Sequence, residues 1–155
     1  PSETVLVDDA VTTLRDVHDA HGGRLFVWGE SLGAGVAAAA VAQAGVPIEG
    51  VVLLTPWDSL ANVAQTHYPY LPARWLVLDR FNSIDNLRDY TGRVAVVLAE
   101  HDAVIPVKHG KRLFDALTRD KKLWVLDGAT HNTVPFSPGQ AWLSEVSAYV
   151  LRSGN

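Results

Sequence analysis

The chain has 155 residues, with 13 Lys+Arg against 17 Asp+Glu (a formal charge of −4), 48% hydrophobic and 19% charged residues, and no cysteine. That composition fits one globular domain with a real core and excludes a disordered or low-complexity chain. It offers no basic cluster for nucleic acid, and the absence of cysteine removes disulfides, thiolate metal sites and a cysteine nucleophile.

The opening residues, PSETVLVDD, carry neither a basic n-region nor an apolar h-region. No export signal is expected, and the default compartment is the cytoplasm. The longest apolar runs, residues 36–42 and 51–54, are too short to span a bilayer, so no membrane segment is expected.

Residues 4–20 place Val7, Ala10, Val11, Leu14 and Val17 on one helical face, and Gly22-Gly23 suits the stop. Residues 25–28 show no alternation and read as a strand buried on both faces, as in a parallel sheet. Residues 32–44 are a small-residue helix ending at Gly45, and residues 51–55, VVLLT, form a second buried strand. The aromatic, proline-bearing stretch that follows predicts short helices near 59–66 and 73–80, with Pro69 and Pro72 breaking the chain between them. A strand at 94–99, a helix at 107–117, a strand at 122–126 and an amphipathic helix at 138–152 complete the chain. Alternating strands and helices imply right-handed βαβ units and a mostly parallel sheet of about four strands flanked by helices, one domain over residues 1–155.

The stretch LFVWGESLGAGVAAAAV interrupts a buried strand and a helix with Gly29-Glu30-Ser31-Leu32-Gly33. A strand passing directly into a helix must turn sharply, and Gly29 and Gly33 stand where side chains are expected to collide with the tight backbone. The turn lifts the Ser31 hydroxyl above the C-terminal edge of the sheet. It also leaves the Leu32 N–H, in the first turn of the helix, pointing toward whatever the serine attacks. Gly35 and the alanines after Val36 are expected to let that helix sit close to the strands. A chance Gly-x-Ser-x-Gly in a glycine-rich turn is the bland reading; its position between strand and helix argues against it.

A serine hydroxyl needs a base, and the base an orienting carboxylate. Of six histidines, His18 and His21 fall at a helix end, and His67 and His109 read as structural or exposed. His131, in VLDGATHNTVPF, follows a strand's C-terminal end, on the edge where Ser31 sits. Asp102, in LAEHDAVIP, follows the third strand on the same edge, with Val104, Ile105 and Pro106 as apolar neighbours. Asp58, after the second strand, is its competitor. Asp127 comes too early in its loop, and His101 reads as loop packing. Trp57, Tyr68 and Tyr70 offer apolar area with polar tips and are candidate pocket walls; Trp75 and Leu76 read instead as packing.

With Ser31, Asp102 and His131 in that order, the chain resembles the α/β-hydrolase superfamily, in its branch of serine esterases and serine-aminopeptidase-like hydrolases. GESLGAG is similar to the nucleophile elbow of that branch, EHDAVIPVKHGKRLFDAL to its acid loop and next helix, and GATHN to its histidine loop. The segment TPWDSLANVAQTHYPYLPARWLVLDRF is similar to the proline-containing stretch after the following strand. The resemblance implies Ser31 as nucleophile, His131 as general base and acid, Asp102 as its partner and no metal or organic cofactor. One departure stands out: members of the superfamily normally carry several strands before the elbow, one of which is followed by a loop donating a second oxyanion N–H. Here one helix precedes the elbow strand, and the HGG at residues 21–23 reads as a helix stop. The chain therefore reads as a truncated α/β-hydrolase fold.

Two expectations follow. A single oxyanion donor lowers turnover by about 10²–10³ relative to two, which favours esters, with their better leaving groups, over amides. The elbow strand lacks a neighbour, so its exposed edge is expected to pair residues 24–28 antiparallel with a second copy, giving a homodimer. The function expected is hydrolysis of small carboxylic esters through an acyl-enzyme. The alternatives are a catalytically silent or partner-completed fragment that acts in binding or assembly, and a serine peptidase or acyltransferase.

Overall fold

A computed structural model describes residues 2–152. Its elements run α1 (Glu3–His21), β1 (Leu25–Glu30), α2 (Leu32–Gln43), β2 (Ile48–Leu54), α3 (Leu60–His67), α4 (Ala73–Leu76), α5 (Ser83–Leu87), β3 (Arg93–Ala99), α6 (Val107–Ala116), β4 (Lys121–Leu126) and α7 (Ala141–Leu151). The four strands lie in chain order, every neighbouring pair parallel. All four C-terminal ends therefore share one rim.

Strand alternation divides the core into two layers. Val51 and Leu53 of β2 pack with Val94, Val96 and Leu98 under α2, α5 and α6. Val52 and Leu54, with Ala95, Val97 and Ala99, face Trp142, Val146, Tyr149 and Val150 of α7. The apolar run at β2 is thus buried on both faces, as expected, and so is that at β3. β1 is not: Phe26 and Val27 are half-buried and Trp28 is 43% exposed. Among the described residues it pairs on one side only, and a strand at the sheet border loses the cover that a neighbour's side chains would give.

The segment after β2 departs furthest from expectation. α3 begins where predicted, with the Ser59 hydroxyl accepting the Asn62 N–H. The next helix, expected over 73–80, is a single turn. The Glu3 carboxylate accepts the N–H groups of Arg80 and Phe81, so these amides are tied to the start of α1 rather than to helical carbonyls. α5 was not anticipated, although Asn82 caps it by accepting the Asp85 N–H, an Asn-x-x-Asp signal present in the sequence. α7 starts at Ala141 rather than residue 138 because Gly139 has a left-handed φ of 89°.

Candidate active site

Ser31 is the single residue between β1 and α2. Its φ of 52° and ψ of −120° lie in a region that side chains rarely adopt. The conformation is held from both sides: the Ser31 N–H donates to the Leu54 carbonyl at the end of β2 (3.0 Å), and its own carbonyl accepts the Ala34 N–H (3.0 Å). The two glycines of the turn differ in their reasons. A Cβ at Gly29 would lie 2.3 Å from the Gly33 carbonyl oxygen and 2.7 Å from the Ala34 Cα, so only glycine fits. A Cβ at Gly33 would meet nothing within 4 Å, and the expected collision there is absent. Gly35 makes room for the rings of Trp57 and Phe81, at 3.1 and 3.2 Å from its Cβ position, rather than for the strands.

Three side chains from three strand ends meet on the rim. His131, after β4, has Nε2 3.0 Å from Ser31 Oγ and Nδ1 2.7 Å from Asp102 Oδ2. Asp102, after β3, turns its other oxygen inward to accept the N–H groups of Val104 (2.9 Å) and Ile105 (2.7 Å). With Nδ1–H donating to the Asp102 carboxylate, Nε2 is left free to accept from the serine hydroxyl. The two loops are stitched together: the His101 N–H donates to the Ala129 carbonyl (2.8 Å), and Glu100 Oε2 accepts the Gly128 N–H (2.8 Å). The Asp102 carboxylate is buried while the imidazole is largely covered, which keeps water from competing for their hydrogen bond. Leu32 opens α2, so its N–H lies ahead of the helix's own hydrogen-bond ladder, beside Ser31.

Asp58, the competing carboxylate, is committed elsewhere. It holds His109 Nδ1 (2.8 Å), Arg112 Nη1 (2.8 Å) and Asn62 Nδ2 (2.7 Å), and His109 Nε2 reaches Thr66 Oγ1 at 3.0 Å. Burial pushes its carboxyl up, but Arg112, Asn62, the Ser59 backbone and His109 outweigh that and hold it below the usual carboxylate range. His109 is 1% exposed and joins α6 to α3. His67 points its Nε2 at the Val104 carbonyl, 2.7 Å away, bracing the acid loop from outside.

A cavity of about 390 Å³ opens over Ser31 and His131, lined also by Glu30, Asn132, Val134 and Phe136. The aromatic residues expected as its walls lie elsewhere. Trp57 is 4% exposed, donates its indole N–H to the Phe81 carbonyl (3.1 Å) and fills the core beside α2. Tyr68 and Tyr70 are exposed on the segment after α3 and do not border this cavity. Glu30 and Asn132 adjoin the reactive residues in sequence and could have been found by that adjacency. Nothing local marks Val134 or Phe136, which the 135–142 contact brings in: Trp142 Nε1 donates to the Pro135 carbonyl at 2.9 Å. Among the described residues, no group of three or more His, Cys, Asp or Glu side chains converges as a metal site requires.

A parallel sheet, a strained serine at a strand-to-helix turn and a histidine-bearing loop on the same rim define an α/β-hydrolase fold. The family model described as the prolyl oligopeptidase family matches residues 7–149, and the chain belongs to that family, within the α/β-hydrolase superfamily. An uncharacterized protein of Mycobacterium tuberculosis is 33% identical over 156 residues, covering 99% of this chain and 55% of that protein. A lysophosphatidylserine lipase of Danio rerio is 32% identical over 154 residues, covering 88% of this chain and 40% of the lipase. A monoacylglycerol lipase of Paleococcus ferrophilus superposes with a TM-score of 0.63 at 21% identity, over 93% of this chain and 75% of that one, a likeness of fold. The chain spans about half the length of the curated relatives it matches.

Proposed function

We propose that the chain acts as a serine hydrolase on small carboxylic esters. The observation that carries the reading is the unbroken run of contacts from Ser31 Oγ to His131 (3.0 Å) to Asp102 (2.7 Å). Ser31 attacks the ester carbonyl as His131 Nε2 takes its proton, and the Leu32 N–H stabilises the developing oxyanion. His131 then protonates the departing alcohol, leaving an acyl group on Ser31. Water, deprotonated by the same imidazole, releases the acid. Asp102 holds the ring and stabilises the imidazolium in both halves.

The relatives named as lipases, one for lysophosphatidylserine and one for monoacylglycerol, favour acyl esters, and Val134 and Phe136 give the cleft an apolar wall for an acyl chain. The family name favours the peptidase alternative, which uses the same three side chains on an amide. The test is a chromogenic short-chain ester beside a matched aminoacyl amide, each with the purified chain and with Ser31→Ala. Ester turnover lost in the variant supports the proposal. Comparable amide turnover supports the peptidase.

The open edge of β1 supports a second, structural reading: two copies pair along it as one continuous sheet. Among the described residues β1 has a single strand neighbour, and Trp28 leaves apolar surface at that border. The alternative occupant is another chain that supplies strands and a further oxyanion donor. Ester turnover that appears only on addition of a second polypeptide supports that alternative.

A further inference from the structure

The cleft beside Ser31 has a charge pattern that the hydrolytic machinery does not require. Glu30, Asn132, Val134 and Phe136 line it around Ser31 and His131; none is a lysine or arginine, and the one carboxylate is Glu30. Glu30 makes no ion pair with any described residue, so its charge is not cancelled locally.

An aromatic group stands in the same place. Glu30 ends β1 on the face that also carries Trp28, because residues two apart on a strand share a face. Trp28 packs on Trp142 at 6.2 Å between ring centroids, and Phe136 meets the same Trp142 edge-on at 5.6 Å and 66°. The Trp142–Pro135 hydrogen bond fixes the loop that presents Phe136. Phe136 keeps 49% of its surface exposed, on the border of the cleft.

A carboxylate and an exposed aromatic ring attract the same kind of ligand group. The carboxylate draws a cation by Coulomb attraction, and the ring face does so through its quadrupole. Both disfavour an anion. Resting on the ester-hydrolase reading above, we propose that Glu30 is a specificity-determining residue: with Phe136 it selects esters bearing an ammonium group over matched esters bearing a carboxylate. An unshielded charge a few ångströms from the substrate's charged group, at partly solvated dielectric, corresponds to roughly a tenfold preference for the cation over the neutral ester and a similar penalty for the anion.

The test uses three nitrophenyl esters of equal chain length, ending in methyl, trimethylammonium or carboxylate. kcat/KM is measured for each with the wild-type chain, Glu30→Gln and Glu30→Lys. The quantity read is the cation-to-anion ratio within each protein, so a general loss of activity in a variant cancels. The expected ratio is about a hundred in the wild type, falls by up to about a hundredfold in Glu30→Gln, inverts in Glu30→Lys and shrinks as salt screens the charge. Neutral ester turnover that is lost in Ser31→Ala, together with a ratio that Glu30→Gln leaves unchanged, overturns this inference and leaves the hydrolase reading standing. If no ester is turned over, the hydrolase reading fails, and the same comparison is made by binding. Trp fluorescence of Ser31→Ala is titrated with the matched amides of the cationic and anionic acids. Tighter binding of the cation that disappears on adding Glu30→Gln supports the role of Glu30; equal affinity for both overturns it.

Discussion

Asp102 meets His131 through one oxygen only: Oδ2 lies 2.7 Å from Nδ1, while Oδ1 is spent on the N–H groups of Val104 and Ile105. The carboxylate thus holds its own loop and the imidazole at once, and the two tasks can be separated. In Asp102→Asn the amide oxygen can still accept from the loop, but the amide nitrogen turned toward His131 can only donate, which forces the wrong tautomer. Turnover of a short-chain ester is expected to drop by about 10⁴, with KM little changed and the melting temperature nearly retained. Asp58→Asn, whose carboxylate faces His109, is expected to keep its turnover when assayed below its own melting temperature. The reverse ranking of the two variants would show that the acid has been misassigned.

Gly29 and Gly33 flank the elbow symmetrically in sequence but not in space. Gly29→Ala would press its methyl into the backbone of Gly33 and Ala34, and no side-chain movement relieves that. The expected outcome is a variant that folds poorly or loses ester turnover because Ser31 is displaced. Gly33→Ala adds a methyl in open space on a helix, where alanine is preferred by up to about 1 kcal/mol. It is expected to melt at or above the wild-type temperature. Thermal melts of both variants, read beside their activities, check the asymmetry.

The residues legible in the sequence were those fixed by topology. Once residues 25–28, 94–99 and 122–126 read as parallel strands, the loops carrying Ser31, Asp102 and His131 had to share a rim, whatever the packing between them. Asp102 and Asp58 could not be separated with the same force, because both follow strands on that rim; what separates them is the His109–Arg112–Asn62 cage around Asp58, a set of long-range partners with no local signature. Trp57 misled for the same reason. Its place after a strand end suggested a pocket wall, yet the gap left by Gly35, twenty-two residues earlier, draws its ring into the core. Phe136 reaches the cleft through the contact with Trp142, which periodicity does not report. The shortened α4 turns on Glu3, more than seventy residues away in sequence.

The Asp58 cage gives stability a defined acid limit. Because Asp58 is held below the usual carboxylate range in the folded chain, the fold binds its proton less readily than the unfolded chain does. Its contribution is therefore complete above the ordinary carboxylate value and is lost as pH falls through the lowered one. Near neutral pH, Asp58→Asn is expected to cost about 3 kcal/mol, the scale for removing one partner of a buried pair. The gap in melting temperature between wild type and variant should begin to narrow as pH falls below the ordinary carboxylate value, where the unfolded chain takes up the proton and the folded chain does not, and should go on narrowing until the folded carboxyl itself protonates. A gap that stays constant or widens on acidification would mean that the cage does not depend on the charge of Asp58.

The edge of β1 yields the remaining prediction. Its outward N–H and C=O groups have no strand partner among the described residues, and the surface beside it is apolar. A cavity of about 400 Å³ between α1, α2 and β1 is lined by Leu6, Ala10, Leu14, Val27, Trp28 and Leu32. Pairing residues 24–28 with the same residues of a second copy satisfies the free amides and buries the Trp28 border in one step, because a two-fold axis makes the patch its own complement. A mass near twice 16.8 kDa is expected from sedimentation at micromolar concentration. Trp28→Lys places a charge on the exposed strand, the device by which sheet edges are kept from associating, and is expected to return the monomer mass. Circular dichroism melts show whether that variant keeps its fold. A wild-type chain that sediments as a monomer rules out the pairing, and a Trp28→Lys chain that stays dimeric places the interface on another surface.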